Sequence, residues 1–167
     1  MATFESPEVY VGTYHKYNCG SIKGKWVKLE GHDETTFYEE IKALHKDEDD
    51  PEFMFQDFQD FPKAFYGESG LDDRIWEWLR LREHDRELWS AALEYDSSVE
   101  FKDAQDQFMG SADSIEDWAW EYLEETGQFS EVPEFFKTYF DLDAYVRDLK
   151  IEMNIVEHNG KTWIFSY

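Results

Sequence analysis

The sequence has few of the residues on which several classes of protein depend. Its 167 residues include a single cysteine, Cys19, which excludes an internal disulfide framework and favours a reducing compartment. The first ten residues lack the basic and apolar regions of a signal peptide. No apolar run approaches the roughly 18 residues that a transmembrane helix needs. These absences predict a soluble, cytoplasmic protein.

Basic residues are scarce as well. The chain has 16 lysines and arginines against 39 aspartates and glutamates, a formal net charge of -23. Affinity for nucleic acids comes mainly from Lys and Arg on phosphate, and anionic membranes select the same residues. We therefore expect no nucleic-acid partner and no membrane partner. The expected partners are basic: cations, basic tails, or proteins whose own ligand is an anion.

Motifs for catalysis and metal binding are also missing. The five histidines are scattered, and there is no H-E-x-x-H, G-x-S-x-G, P-loop or G-x-G-x-x-G pattern. Asp47 and Asp49 begin a spacing like that of a calcium loop, but Pro51 interrupts it. Close carboxylate pairs are expected by chance among so many acids, so they do not indicate acid–base catalysis. We predict a protein that is not an enzyme and has no cofactor.

Aromatic residues, in contrast, are abundant. They make up 19% of the chain, and because disordered chains are poor in aromatics, this chain is expected to fold despite its charge. The run DEDDPEFMFQDFQD (47–60) combines both features, since seven of its fourteen residues are acids and Phe53, Met54, Phe55 and Phe58 lie between them. The apolar residues would fix the acids to a folded scaffold.

The patterns predict an α+β fold made of three small modules. Residues 1–62 would form an N-terminal α+β module with an antiparallel sheet, 63–110 a central helical module, and 111–167 a C-terminal α+β module with a terminal β-hairpin. Four segments are predicted within the first module, in chain order. They are a strand over 8–17, a strand over 25–30, a helix over 34–46 capped by Asp33, and a third strand over 53–58.

Helical spacing dominates the rest of the chain. It predicts two helices within 71–95, a short helix over 98–110, a helix over 114–127 that Ser114 begins, and two helical turns within 132–149. Asn159 and Gly160, between two alternating runs, predict a hairpin with a type I′ turn.

The negative charge is concentrated in the middle of the chain. Residues 47–134 carry a net charge of -21, whereas the segments on either side are nearly neutral. Within 113–125 there is no base, and Asp113, Asp117, Glu121 and Glu124 share one helical stripe. Like charges four residues apart cost about 0.2–0.5 kcal/mol each, and acids near a helix C-terminus oppose its dipole. Folding does not need this arrangement, which indicates a functional reason for it.

A folded scaffold would hold these acids as an ordered array. Duplex DNA carries one negative charge per about 1.7 Å of its axis, so a charge of -21 corresponds to roughly 36 Å of duplex, or about ten base pairs. The candidate binding carboxylates are Asp47, Glu48, Asp49, Asp50, Glu52, Asp57, Asp60, Asp103, Asp106, Asp113, Glu116, Asp117, Glu121, Glu124, Glu125, Glu131 and Glu134.

Three stretches of the sequence resemble one known family. VYVGTYHKYNCGSIKGKWVKL (9–29), LHKDEDDPEFMFQDF (44–58) and EETGQFSEVPEFFKTYFDLDAYVRDL (124–149) are similar to the ArdA antirestriction proteins of plasmids and conjugative elements. The resemblance runs over nearly the whole chain, in order. The first stretch is the most specific because its residue pattern is long and unusual.

The resemblance implies a function and an assembly. Such proteins are DNA mimics that inhibit type I restriction–modification enzymes by occupying the DNA-binding groove of the methyltransferase core. The family is elongated and forms a homodimer through its C-terminal module. The resemblance also implies that Tyr139, Asp141 and Tyr145, with Glu124, Glu125, Glu131 and Glu134, take part in binding or in pairing.

Two other functions stay open at this point. A generic acidic protein that binds basic proteins or cations would bind histones as tightly as any restriction enzyme. An enzyme with a carboxylate pair would need a concave pocket and one raised pKa.

Overall fold

The computed structural model describes residues 6–167 and has the predicted α+β fold, with antiparallel sheets and a terminal hairpin. The chain forms two compact units. The described residues up to Arg86 form the N-terminal unit, and Glu87–Tyr167 form the C-terminal unit. The three modules with boundaries near residues 62 and 110 stay a prediction.

The N-terminal unit is built on a three-stranded antiparallel sheet. Its strands are β1 (Glu8–Thr13), β2 (Lys25–Lys28) and β3 (Phe53–Gln59), in the order β2-β1-β3. Val9 and Val11, two residues apart on the central strand, are both fully buried. This alternation gives the sheet one apolar face, as the sequence pattern predicts.

Helix α2 (Glu34–Leu44) contributes Phe37 and Ile41 to the same buried core. Asp33 begins the helix as predicted: its carboxylate accepts a hydrogen bond from the backbone N–H of Thr36 at 2.9 Å. The Thr36 hydroxyl lies 3.0 Å from the Asp33 backbone nitrogen and accepts its hydrogen bond, which completes a capping box.

Short elements complete this unit. They are helix α1 (Tyr14–Asn18), a 3₁₀ turn (Lys63–Phe65), the two-residue strands β4 (Tyr66–Gly67) and β5 (Gly70–Leu71), and helix α3 (Arg74–Trp78). The prediction of one strand over 8–17 is wrong beyond Thr13. The Thr13 side chain accepts a hydrogen bond from the Lys16 N–H at 3.2 Å and so begins α1. Helix α4 (Glu83–Tyr95) includes the point at which the chain divides.

The C-terminal unit has its own three-stranded antiparallel sheet. The strands are β6 (Phe108–Ala112), β7 (Met153–His158) and β8 (Lys161–Ser166), in the order β6-β8-β7. Asn159 and Gly160, both with positive φ, join β7 to β8 and confirm the predicted hairpin. The prediction that 98–110 is helical is wrong at its end, because residues from Phe108 onward pair with β8.

Four further helices belong to this unit: α5 (Phe101–Gln107), α6 (Ile115–Glu125), α7 (Glu134–Lys137) and α8 (Leu142–Glu152). The core joins α6 and α8 to strand β8, and its buried members are Ile115, Trp118, Ala119, Val146, Leu149 and Ile164. The predicted helix over 114–127 is confirmed with slightly shorter bounds. None of the helices in residues 6–167 is long and apolar enough to cross a membrane.

Candidate functional site: exposed carboxylates

The predicted carboxylates lie on the surface. Of the seventeen, sixteen are exposed and one, Glu48, is half-buried. Seven belong to the N-terminal unit, within 47–60, and ten to the C-terminal unit, within 103–134. The fold therefore presents nearly all of them to solvent, and each unit carries part of the set.

The acids at the start of α6 have a structural role. The Ser114 hydroxyl accepts a hydrogen bond from the Asp117 N–H at 3.1 Å and donates one to the Asp117 carboxylate at 2.5 Å. Glu116 shares the first turn with Asp117, where carboxylates interact favourably with the positive end of the helix dipole. Capping and the dipole explain these two acids without a partner molecule.

The acids in the second half of α6 have no such role. Glu121, Glu124 and Glu125 are exposed, and the last turn of the helix contains no base. Among residues 6–167 no ion pair involves any of the three. Meanwhile Trp118 and Leu123 bury the opposite side of the helix and hold it in place. The fold thus displays uncompensated charges on a fixed helix.

An open groove of about 640 Å³ runs along this helix. Four of the predicted acids line it, namely Asp113, Glu116, Asp117 and Glu121, together with the partly buried ring of Trp120. Lys161 is the one base among the groove-lining residues. A surface with four carboxylates and one ammonium group attracts guanidinium and ammonium groups of a partner.

The candidate acids of the N-terminal unit begin in the acidic loop, which we define as residues 47–52, between α2 and β3. Its ends are tied to the fold by backbone hydrogen bonds. The Glu48 N–H donates to the His45 carbonyl at 3.0 Å, and the Tyr14 N–H donates to the Glu52 carbonyl at 3.0 Å. The loop is therefore ordered at both ends.

Lys16 provides the positive charge inside this arrangement, a contact that was not predicted from the sequence. Its Nζ lies 3.0 Å from the Asp47 carboxylate and 3.5 Å from that of Glu48. Glu48 also accepts a hydrogen bond from the Thr13 hydroxyl at 2.6 Å. The available signal in the sequence was Thr13, because threonine is a favoured residue at the start of a helix. A helix that begins after Thr13 includes Lys16, which therefore does not lie on a strand.

His45 lies beneath the loop and is only 4% exposed. Because Lys16 Nζ can only donate, Nδ1 of His45 accepts its hydrogen bond at 3.0 Å, and Nε2–H points to the Val11 carbonyl at 3.3 Å. Burial and the nearby Lys16 charge lower the pKa of His45. The hydrogen bond from Lys16 lowers the pKa of Asp47. The folded state therefore favours a neutral histidine and an ionised aspartate.

The same group has the donors of a metal site. One ligand atom each from His45, Asp47 and Glu48 lies within 4.8 Å of the others. However, the Lys16 ammonium is within hydrogen-bond or ion-pair distance of all three. An added divalent cation would be repelled by this ammonium or would have to displace it. The donors are satisfied by a cation of the chain itself.

The remaining candidate acids differ in how far their charge is available. Asp106 on α5 pairs with Lys102, and Glu134 on α7 pairs with Lys137 at 2.6 Å, so both charges are partly compensated. Four others are exposed and have no ion pair among residues 6–167, namely Asp57 on β3, Asp60 after it, Asp103 on α5 and Glu131 before α7. Of these, Asp57 accepts a hydrogen bond from the Phe58 N–H at 2.8 Å.

The region predicted to bind or to pair is largely aromatic. Tyr139 is 73% exposed, whereas Tyr145 is partly buried against Phe140, with ring centroids 5.9 Å apart. Asp141 caps α8 by accepting a hydrogen bond from the Ala144 N–H at 2.9 Å, which gives it a structural role.

Two further residues of this region were not predicted. Phe135 and Phe136 are 65% and 60% exposed, and with Tyr139 they form what we call the aromatic surface. Phe136, Tyr139 and Tyr145 also line an apolar groove of about 410 Å³. The available signal in the sequence was the pair of adjacent phenylalanines within a predicted short helical turn.

The structure and its acids define a folded, strongly anionic protein, and comparison with protein families assigns the class. Residues 9–161 match the family described as Antirestriction protein (ArdA). Because the match spans most of the chain, the chain belongs to the ArdA antirestriction protein family. This is a family of inhibitor proteins rather than of enzymes. No curated protein matches the chain.

Proposed function

We propose that this protein inhibits type I restriction–modification enzymes by mimicking DNA. Its carboxylates would occupy the basic groove in which the methyltransferase core binds DNA. The observation that carries this proposal is the second half of α6, where Glu121, Glu124 and Glu125 are exposed and have no ion pair among residues 6–167. Glu124 and Glu125 oppose the helix dipole, and Glu121 repels Glu125 four residues later. Family membership supports an antirestriction activity, and the charge supports the mechanism.

The amount of charge suits this role. The net charge of residues 47–134 corresponds to about ten base pairs of duplex, on the scale of one charge per about 1.7 Å. The acids are also fixed, since buried aromatic residues such as Trp118 hold the elements that carry them. A flexible acidic tail would have to lose conformational entropy on binding, which a folded array avoids.

Inhibition by this route needs no chemical step. The protein competes with DNA for one groove, so it acts stoichiometrically, and no bond is made or broken. Long-range attraction between the anionic surface and a basic groove accelerates the encounter and weakens as salt is added. The proposed location of this competition is the cytoplasm.

We also propose that the protein forms a homodimer through the aromatic surface. Three neighbouring aromatic rings are each at least 60% exposed, and contiguous apolar patches on soluble proteins frequently mark interfaces. Tyrosine and phenylalanine are enriched at such interfaces. Tyr139 belongs to the segment whose resemblance implies pairing. Two chains together would present about twenty base pairs of charge on the same scale.

The function is tested by displacement of a labelled DNA duplex from a purified type I methyltransferase core. The measurement is made at two salt concentrations, with a histone as the alternative partner. We expect stoichiometric displacement that weakens with salt, and much weaker binding to the histone. Equal binding to both would instead identify a generic acidic protein, and absence of displacement would refute the proposal.

A further inference from the structure

Lys16 belongs to the nearly neutral N-terminal segment of the sequence, yet it lies against the acidic loop. Its side chain is 21% exposed, so its ammonium group is largely withdrawn from water. In that position it contacts one neutral histidine and two carboxylates: His45 at 3.0 Å, Asp47 at 3.0 Å and Glu48 at 3.5 Å. One cation of the chain thus joins helix α1 to the start of the loop.

The loop needs such a contact because it holds five carboxylates within six residues. Charges of one sign at this density repel each other and favour separation of the segment from the fold. Backbone hydrogen bonds tie Glu48 to His45 and Tyr14 to Glu52, but they give no compensation for charge. Lys16 alone supplies an opposite charge to Asp47 and Glu48 among the ion pairs of residues 6–167.

We infer that Lys16 is a positioning residue for DNA mimicry, which holds the acidic loop against β1 and β3 so that its outer carboxylates are presented in a fixed arrangement. The inference rests on the proposed function. Asp47, which is itself exposed, and Glu48 form ion pairs with Lys16, whereas Asp49, Asp50 and Glu52 are exposed and have no ion pair among residues 6–167, so they are available to a partner. Lys16 therefore determines where the outer acids lie without contacting the partner itself.

The positioning role and the change in net charge predict opposite effects on the affinity for a basic groove when Lys16 is removed. Removal of a lysine makes the protein more negative, and a basic groove should then bind it more tightly. If Lys16 positions the loop, its removal weakens binding although the charge becomes more favourable. The two effects are separated by Lys16→Met and the matched variant Lys25→Met, which removes the same charge from an exposed position on β2.

The first measurement uses the free protein and needs no enzyme. Amide hydrogen exchange of Tyr14 and Glu48 reports the two backbone bonds that tie the loop. In Lys16→Met we expect exchange at these amides to be at least about tenfold faster, because local opening becomes easier. In Lys25→Met it should not change. Thermal melting shows whether either variant is folded at the temperature used.

The second measurement is displacement of duplex DNA from the methyltransferase core. We expect Lys16→Met to be about two- to tenfold weaker than the parent, and Lys25→Met to be equal or slightly stronger. The slope of log affinity against log salt should be shallower for Lys16→Met, because fewer fixed acids engage the groove. A loss of folded protein alone would lower the active fraction and leave this slope unchanged.

A second pair of variants covers the case in which Lys16→Met does not fold. Asp47→Asn with Glu48→Gln removes both carboxylate partners of Lys16, and Asp49→Asn with Asp50→Asn removes the same charge from the outer part of the loop. Only the first pair should accelerate exchange at the Tyr14 amide, whose neighbours in the sequence neither pair changes.

Unchanged exchange in Lys16→Met, together with displacement as strong as that of Lys25→Met, would overturn the inference. If the parent protein displaces no DNA at all, the proposed function fails instead. In that case the exchange measurement still decides whether Lys16 orders the loop.

Discussion

The indole of Trp118 occupies the space beside the backbone of Gly110. A Cβ atom on residue 110 would lie 2.6 Å from Nε1 of that ring, and Gly110 has a φ of 144°, which side chains rarely adopt. Gly110→Ala should therefore destabilise the C-terminal unit by about 2–4 kcal/mol through overlap and backbone strain. Urea unfolding measures the change in the free energy of unfolding.

Gly160→Ala is the control, since its φ is positive but its surroundings are open, and we expect it to cost only about 1 kcal/mol. Equal effects would mean that the indole contact does not constrain residue 110.

The acids of α6 should act as a graded array. Neutralisation of one of them, as in Glu121→Gln, should weaken DNA displacement by about 1.5- to 5-fold, the range expected for one exposed ion pair. Removal of Glu121, Glu124 and Glu125 together should weaken it further, without loss of stability, because like-charge repulsion within the helix is relieved. Glu39→Gln on α2 removes the same charge outside the predicted array and should have little effect. A single α6 acid that abolished all inhibition would contradict mimicry and would favour a specific catalytic or binding carboxylate.

Salt should affect stability and inhibition in opposite directions. The folded chain carries a net charge of -23, so screening reduces its internal repulsion and should raise the free energy of unfolding between about 0.05 and 0.5 M NaCl. The affinity for a basic groove should fall over the same range, because the attraction is screened. Chemical unfolding and DNA displacement, measured in the same buffers, test both. A salt-independent affinity would argue for an apolar rather than an ionic interface.

His45 should make the N-terminal unit sensitive to mild acid. Its pKa is lowered in the folded state by burial and by Lys16, whereas in the unfolded chain it titrates near its ordinary value of 6.5. As the pH falls below about 6.5, the unfolded chain binds a proton that the folded state does not, so stability is lost until the pH reaches the lowered pKa. In His45→Gln the decline in unfolding free energy between pH 7.5 and 5.5 should be smaller. His15→Gln, at an exposed site, should follow the parent; identical slopes for all three would show that His45 does not titrate differently on unfolding.

The aromatic surface should control self-association. The chain has a mass of 20.0 kDa, so the proposed homodimer should have a mass of about 40 kDa by light scattering at micromolar concentration. Tyr139→Ser with Phe136→Ser should shift it to the monomer. Ile151→Ser is the matched control, because Ile151 is also 73% exposed in the C-terminal unit but lies on α8. If the Ile151→Ser variant were monomeric, or if the variant without Tyr139 and Phe136 stayed dimeric, the dimer interface would lie elsewhere.

Local signals in the sequence predicted those elements whose cause is local. Asp33 and Ser114 begin their helices through side-chain hydrogen bonds to residues three positions later, and Asn159 with Gly160 supplies the backbone conformation of the hairpin. These contacts lie within a few residues, so propensity and spacing suffice to find them.

Other elements depend on residues far away in the chain. The sequence of strand β6 has little strand character, and the strand forms because Phe108 and its neighbours pair with β8, far later in the chain. The contact of Lys16 with Asp47 and Glu48 is likewise a product of the tertiary fold. Composition predicted that the acids would be exposed. It could not show which of them a lysine of the same chain would hold.

The aromatic surface also has a consequence for colloidal behaviour. Three exposed rings would promote indiscriminate aggregation in a neutral protein, but here repulsion between molecules of charge -23 opposes it. Carboxylates, unlike phosphodiesters, titrate near pH 4, and the isoelectric point is about 4.3. Near that pH the repulsion disappears while the rings stay apolar, so solubility should pass through a minimum from which the protein recovers on neutralisation. The charge that is proposed to imitate DNA should thus also oppose aggregation through the exposed rings.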